Sequence, residues 1–474
     1  MKKVMRLWDI VFMNVAAMVG LRWLPIAAGY GAASITLWVL AAVLFFIPIG
    51  MISTELATTW PNEGGLYVWV KQAYGEKPAF YVSWFYWANS FFYCPSLLTF
   101  IVVTLVFAFK PQLATNKFFV CSAVLVLLWL VTFINVRGLN AVKKLANLGG
   151  SFGTLMPILV IIALGCGSVL IWHHPVPTDY SLASWLPNLT SKSNIALLSA
   201  LMFAMAGIEL TPILAGETEN PRKTFSRALY ISATLIVAAY IISTVAVTMV
   251  ISPAKIGAAS GIMDAINLMA KDLNIPFLVA IIALSISVGS FGGVSVWVVA
   301  PIKMFFESTK QGVLPVSFMK LNKNDMPSRA IIFQAIIVSL VVVGTSFLPS
   351  VNVFYITLVL MTTTLYFFPY LVMCAAFLKL RKTYAHVPRP YRLPGGKIFA
   401  WIVTSVAFIS VSIAIVLPFI VPPQEIKTAH DILMYRTEIA LGPITFFIIG
   451  YLVYAIYENR IGTVERWWLK FLRK

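Results

Sequence analysis

The sequence predicts an all-α, polytopic membrane protein, and three observations carry that reading. Of 474 residues, 60% are hydrophobic and 11% charged, against about 25% charged in a soluble globular chain. With a mean hydropathy of +0.89, so much apolar surface has no room in one soluble core. About twelve apolar runs each reach the roughly 20 residues a helix needs to cross the hydrocarbon layer. Each run is continuously apolar, without period-two alternation, which selects helices over a barrel.

In chain order the first six predicted spans are roughly 7–32, 35–56, 79–108, 118–136, 151–172 and 195–216. The other six are roughly 225–251, 276–306, 329–348, 353–378, 400–421 and 437–457. The first follows Lys2, Lys3 and Arg6 and has small residues at Ala16 and Ala17, as a signal peptide would. Its apolar pattern resumes directly after Arg22, so it reads as an uncleaved span. Between the second and third spans, Trp60 to Lys77 carries charge and the pair Gly64-Gly65. That segment reads as a re-entrant cytoplasmic helical hairpin or as a solvated loop. The third and eighth spans are long enough to require tilt.

The third span carries Trp84, Trp87, Asn89 and Pro95. An asparagine there either ties two helices together or bonds a ligand, and Asn89 is a candidate substrate contact. Phe203, Trp297 and Tyr366 are aromatic candidates on the sixth, eighth and tenth spans, with core packing as the alternative. Cys94, Cys121, Cys166 and Cys374 all fall within spans and lack C-x-x-C spacing, so they read as packing thiols.

The net charge of +18 raises nucleic acid as a partner until the basic residues are placed. With a cytoplasmic amino terminus, inner segments and span ends hold 27 Lys and Arg and outer ones 7, with Arg22 alone mid-span. The excess is therefore a topology signal. It puts both termini in the cytoplasm of a cell-membrane protein, bacterial inner or plasma membrane, and removes nucleic acid. The basic loop Lys379 to Lys397 is placed to touch anionic membrane lipid, though topology alone accounts for it.

Two stretches interrupt helices at membrane depth: "MVGLRWLP", Met18 to Pro25, and "FAMAGIELTP", Phe203 to Pro212. Gly and Pro both weaken a helix interior, and irregular backbone survives in lipid only where protein or a wet cavity covers it. The breaks fall in spans one and six, each of which begins a set of five. Interrupted spans at matching positions of two halves point to a transporter built on inverted repeats. The predicted division is 1–172 and 195–380 for the repeats, 398–460 for two peripheral spans, and 461–474 for a short cytoplasmic tail.

Each break also holds one mid-span charge, Arg22 or Glu209, and intramembrane charges are functional candidates with a partner to be named. Glu209 reads as a gating or proton-linked carboxyl, or as a protonated structural acid. Arg22 reads as the partner of Glu209, as a contact for an acidic group on the substrate, or as a charge facing an aqueous vestibule.

Four further motifs stand out: Glu55, Pro61, Gly64, Gly65 and Tyr67 around the second span, and Gly207, Glu209, Glu217, Asn220 and Pro221 around the sixth. Gly312, Pro315, Asn322 and Pro327 follow the eighth span, and "RLPGGK", Arg392 to Lys397, precedes the eleventh. With these motifs the chain resembles the amino acid–polyamine–organocation transporters, and within them the glutamate–GABA antiporters.

The resemblance implies the LeuT-type fold, ten core helices in a 5+5 inverted repeat with two peripheral helices. It places substrate at the broken helices, and so at Val19, Gly20, Leu21 and Arg22 of the first span and Phe203, Ala204 and Gly207 of the sixth. There half-helix amino termini would meet a carboxylate and unpaired carbonyls an ammonium. Trp297 and Phe203 match pocket-shaping and gating aromatics of such exchangers.

The chain departs from the family in four places, one of them Arg22, where the family often has an aromatic or apolar residue. Met18-Val19-Gly20-Leu21 replaces the common G-S-G-I, narrowing the carboxylate site. Thr154 stands about where some relatives carry a lysine, and about 17 residues follow the last span, so no long carboxy-terminal plug is expected.

The expected function is secondary active transport: exchange of an amino acid against another or against its decarboxylated amine. Proton-coupled symport is the alternative, and a channel or nutrient receptor on the same scaffold the remote one. The partners are an amino acid or amine, membrane lipid and, under symport, protons; oligomeric state is open. No cofactor or metal is called for. An enzyme is disfavoured by the lack of H-E-x-x-H and by histidines (His173, His174, His386, His430) confined to predicted loops. ATP is disfavoured as the motor by the lack of a Walker sequence.

Overall fold

The computed structural model describes residues 6–60, 65–138, 153, 156–187, 192–209, 218–309, 318, 320–324, 326–420, 426 and 428–472. The main helices are α1 (Leu7–Met18), α2 (Trp23–Ala28), α3 (Ala33–Thr59), α4 (Leu66–Tyr74), α5 (Glu76–Val106), α6 (Lys117–Val136) and α7 (Met156–Leu170). The second half holds α8 (Lys192–Ala204), α9 (Pro221–Thr248), α10 (Gly261–Asp272), α11 (Phe277–Thr309), α12 (Ser328–Thr345), α13 (Val351–Thr383), α14 (Gly396–Ile420) and α15 (Ala429–Leu472).

Among the described residues nine helices are long and apolar enough to cross a membrane. The predicted spans absent from that set are the first, fifth and sixth, and the first and sixth are the two with helix-breaking signals. The chain is thus an all-α polytopic membrane protein.

The breaks have local causes. α1 ends where Val19 turns extended (φ −70°, ψ 106°), and α2 restarts at Trp23 with Pro25, which lacks an N–H, in its first turn. α8 ends at Ala204, and Gly207 follows at φ +119°, a backbone region open to glycine and strained for other residues. The fifth span is described from Met156, a helix of 15 residues. Thr154, Pro61, Gly64, Pro212, Glu217, Gly312 and Pro315 lie outside the described residues.

The segment after the second span, read as a helical hairpin or a solvated loop, contains a helix, α4, tied to the next by Tyr67 and Lys71 on Glu76. α15 is a single helix of 44 residues that runs to Leu472, past the last predicted span.

Polar clips in the apolar core fix how the broken first span sits. Asn14 Nδ2 donates to Ser232 Oγ at 3.0 Å, joining α1 to α9. Trp38 stacks flat on Tyr240 with ring centroids 4.2 Å apart, and its Nε1 donates to Thr244 at 3.1 Å, joining α3 to α9.

A second group of clips closes one end of the bundle around Glu55, which is fully buried near the end of α3. Its Oε2 accepts the Leu393 N–H at 2.7 Å. Its Oε1 lies 2.9 Å from Arg381 Nε and 3.5 Å from Arg389 Nε, an ion-pair distance at which no N–H points squarely at the oxygen. Arg389 also donates to the Leu380 and Tyr384 carbonyls. Burial pushes its guanidinium below the usual value, and the charge of Glu55 opposes that shift. One carboxylate therefore fastens the end of α13 and the loop leading to α14 onto α3.

Candidate functional site at the broken helices

The two interrupted spans meet at Tyr240 of α9. Its hydroxyl accepts the Gly20 N–H at 3.2 Å and lies 2.6 Å from the Met18 carbonyl and 3.0 Å from that of Ala204. With one proton to give, the hydroxyl divides it between the two carbonyls, the last of each half-helix. A buried tyrosine thus satisfies backbone groups that both breaks set free.

Between the breaks is a small cavity of about 20 Å³, lined by Met18, Arg22, Trp23, Tyr93, Phe203, Ala204, Ala206, Trp297 and Tyr366. That is room for about one water, so admitting an amino acid requires the lining side chains to part. The walls are aromatic. Ring centroids lie 4.7 Å apart for Tyr93 and Trp297, 5.1 Å for Phe203 and Tyr366, and 5.5 Å for Trp23 and Phe203.

At one side of this cavity, Arg22 is 3% exposed. Its guanidinium carbon lies 4.0 Å from the Trp23 ring and 4.5 Å from the Tyr93 ring. Nη1 donates to Ser96 Oγ at 3.2 Å. The backbone carbonyl of Arg22 accepts from the Tyr355 hydroxyl at 3.4 Å, so the start of α13 holds this residue.

Farther along α13, two tyrosines hold Glu209. Tyr366 Oη lies 2.7 Å from Oε1 and Tyr370 Oη 2.6 Å from Oε2. Tyr86 of α5 adds a third hydroxyl at 3.3 Å, itself 3.1 Å from that of Tyr366. The Gly207 N–H donates to Tyr370 Oη at 3.2 Å, locking the sixth-span break to the same cluster. Glu209 is 2% exposed.

Arg22 and Glu209 do not pair in this structure. Each charge is engaged by other groups: Arg22 by Trp23, Tyr93 and Ser96, and Glu209 by Tyr86, Tyr366 and Tyr370. An exchange of the two, Arg22→Glu with Glu209→Arg, is therefore expected to recover none of the function lost in either single variant; recovery would show that they meet in another conformation.

Of the residues singled out from sequence, Arg22, Phe203, Ala204, Trp297 and Tyr366 line the cavity. Gly20 and Gly207 shape the breaks behind it through Tyr240 and Tyr370. Val19 and Leu21 are buried without lining the cavity. Asn89 turns its amide N–H back to the Tyr86 carbonyl on its own helix. Sequence reasoning missed Tyr86, Tyr93, Tyr240, Tyr370, Trp23 and Ser96. The signal for some was spacing: Tyr86 and Tyr93 stand two turns apart on one face of α5, and Tyr366 and Tyr370 one turn apart on α13.

Paired breaks in the first and sixth spans, facing across a membrane-embedded cavity, define a transporter. The chain belongs to the amino acid permease family, whose model matches residues 5–453. It is 32% identical over 467 residues to an uncharacterized transporter of Legionella pneumophila, covering 98% of this chain and 99% of that one. It is 25% identical over 427 residues to a glutamate/gamma-aminobutyrate antiporter of Lactococcus lactis, covering 89% of this chain and 84% of that one. With a probable agmatine/putrescine antiporter of Lactococcus lactis, identity is 27% over 432 residues and 90% of each chain.

Proposed function

We propose that this permease is an exchanger, carrying an amino acid against another amino acid or its decarboxylated amine by alternating access around the two broken spans. The observation that carries the reading is the small aromatic cavity between those breaks, with its single Arg22 charge. The antiporter names of two relatives support exchange.

In this reading residues 1–172 and 195–380 are the two inverted repeats, and 398–460 the peripheral spans. The substrate site is the cavity lined by Arg22, Phe203, Ala204, Trp297 and Tyr366. Glu209 with its three tyrosines is the gate that separates the cavity from the Glu55 end of the bundle. The excess of basic residues on segments assigned inside supports cytoplasmic termini, and makes that end the cytoplasmic one.

Counterflow tests exchange. Proteoliposomes loaded with unlabelled compound should take up the labelled one transiently above equilibrium, with no ATP and no imposed ion gradient. Proton symport is the second reading, favoured by the buried carboxyl of Glu209. It predicts uptake driven by an inward proton gradient into vesicles holding no internal substrate, which an obligate exchanger does not show.

A further inference from the structure

The geometry points to Arg22 as the receptor for a carboxylate of the substrate; this rests on the reading of the cavity as the transport site. A guanidinium buried at membrane depth is costly unless paired. Among the described residues no carboxylate lies within ion-pairing distance of Arg22. What surrounds it orients the group without neutralising it.

Trp23 and Tyr93 present their rings to the guanidinium. Ser96 gives its own proton to the Tyr93 carbonyl at 2.8 Å, so its oxygen is held as an acceptor for Nη1. That bond uses one of the five N–H groups of the fork. Arg22 lines the cavity, and a planar fork held in one orientation suits a carboxylate, which it can meet through two parallel hydrogen bonds.

The backbone at the first break is less available for the same task. Its Gly20 N–H is committed to Tyr240, whose hydroxyl also faces the Met18 and Ala204 carbonyls. The side chain at position 22 adds a full positive charge where the Gly20 N–H is already taken. The carboxylate it takes is either the α-carboxylate or one on the substrate side chain.

Equilibrium binding to purified full-length protein, measured apart from transport, separates these sources. The probes are L-glutamate, L-glutamine, γ-aminobutyrate and putrescine. Wild-type protein is expected to bind a carboxylate-bearing probe in preference to putrescine. Arg22→Gln should weaken that binding by about 10- to 100-fold, the worth of a charged hydrogen bond, and Arg22→Lys by less.

Loss of glutamate binding with glutamine unaffected assigns the side-chain carboxylate. Equal loss of both assigns the α-carboxylate. Unchanged affinities in Arg22→Gln overturn the proposal. So does a wild-type protein that prefers putrescine to every carboxylate, a comparison that needs no variant to fold. Binding without counterflow would sink the exchange reading while leaving the assignment of Arg22 intact.

Discussion

Glu209→Ala is expected to abolish transport and to destabilise the protein by about 3 kcal/mol or more. The carboxylate is the common acceptor for the hydroxyls of Tyr86, Tyr366 and Tyr370. A buried hydroxyl left without a partner costs about 1–3 kcal/mol. The pair Tyr86 and Tyr366 can bond each other, which limits the loss. Tyr370 also accepts the Gly207 N–H, so its displacement reaches the backbone of the sixth-span break.

Glu209→Gln separates structure from gating. The amide keeps one acceptor oxygen, so most of the stability should survive, while the side chain can no longer gain or lose a proton. If Glu209 gates by protonation, the pH profile of counterflow flattens and substrate binding remains measurable. A Gln variant with the wild-type profile would leave Glu209 as a structural acceptor. The checks are thermal unfolding in detergent and counterflow across a pH series.

The second large effect is expected at Glu55, well away from the cavity. Glu55→Ala leaves Arg381 and Arg389, whose side chains are 12% and 6% exposed, without their shared anion. Breaking a buried pair from one side costs about 3–5 kcal/mol, because the remaining charge stays buried and uncompensated. Here two cations remain, and the Leu393 N–H loses its acceptor as well.

The loop between α13 and α14 should loosen first, since Glu55 holds it at Leu393 and Arg389. Hydrogen exchange over residues 384–395 is expected to rise together with the fall in melting temperature. Glu55→Gln can still accept from Leu393 and should fall between Ala and wild type. A Glu55→Ala protein with unchanged melting temperature and unchanged exchange in that loop would show that the clamp contributes nothing.

The two breaks were legible in sequence because their causes are local. Gly20 with Pro25, and Gly207 on the far side, weaken a helix whatever surrounds it. Arg22 and Glu209 were legible for a similar reason, since a charge inside an apolar run stands out without any structure. Their expected pairing was not secure, because opposite charges in neighbouring breaks say nothing of height along the bundle. The tyrosines were harder to see. Tyr240 and Tyr370 lie in apolar helices where an aromatic is ordinarily packing, and all but one of the hydroxyl partners named for them come from residues more than a hundred positions away.

Composition and run length determined by themselves that the chain is helical and membrane-spanning, because the bilayer imposes those terms on any sequence. Tertiary structure alone decided which groups satisfy the broken backbone, since a freed N–H or carbonyl accepts any donor or acceptor that packing brings near. It likewise set Arg22 between Trp23, Tyr93 and Ser96, and Glu209 among three hydroxyls of α5 and α13. Those distances depend on how α5 and α13 cross the two breaks, and the packing of distant helices is written in no single stretch of the sequence.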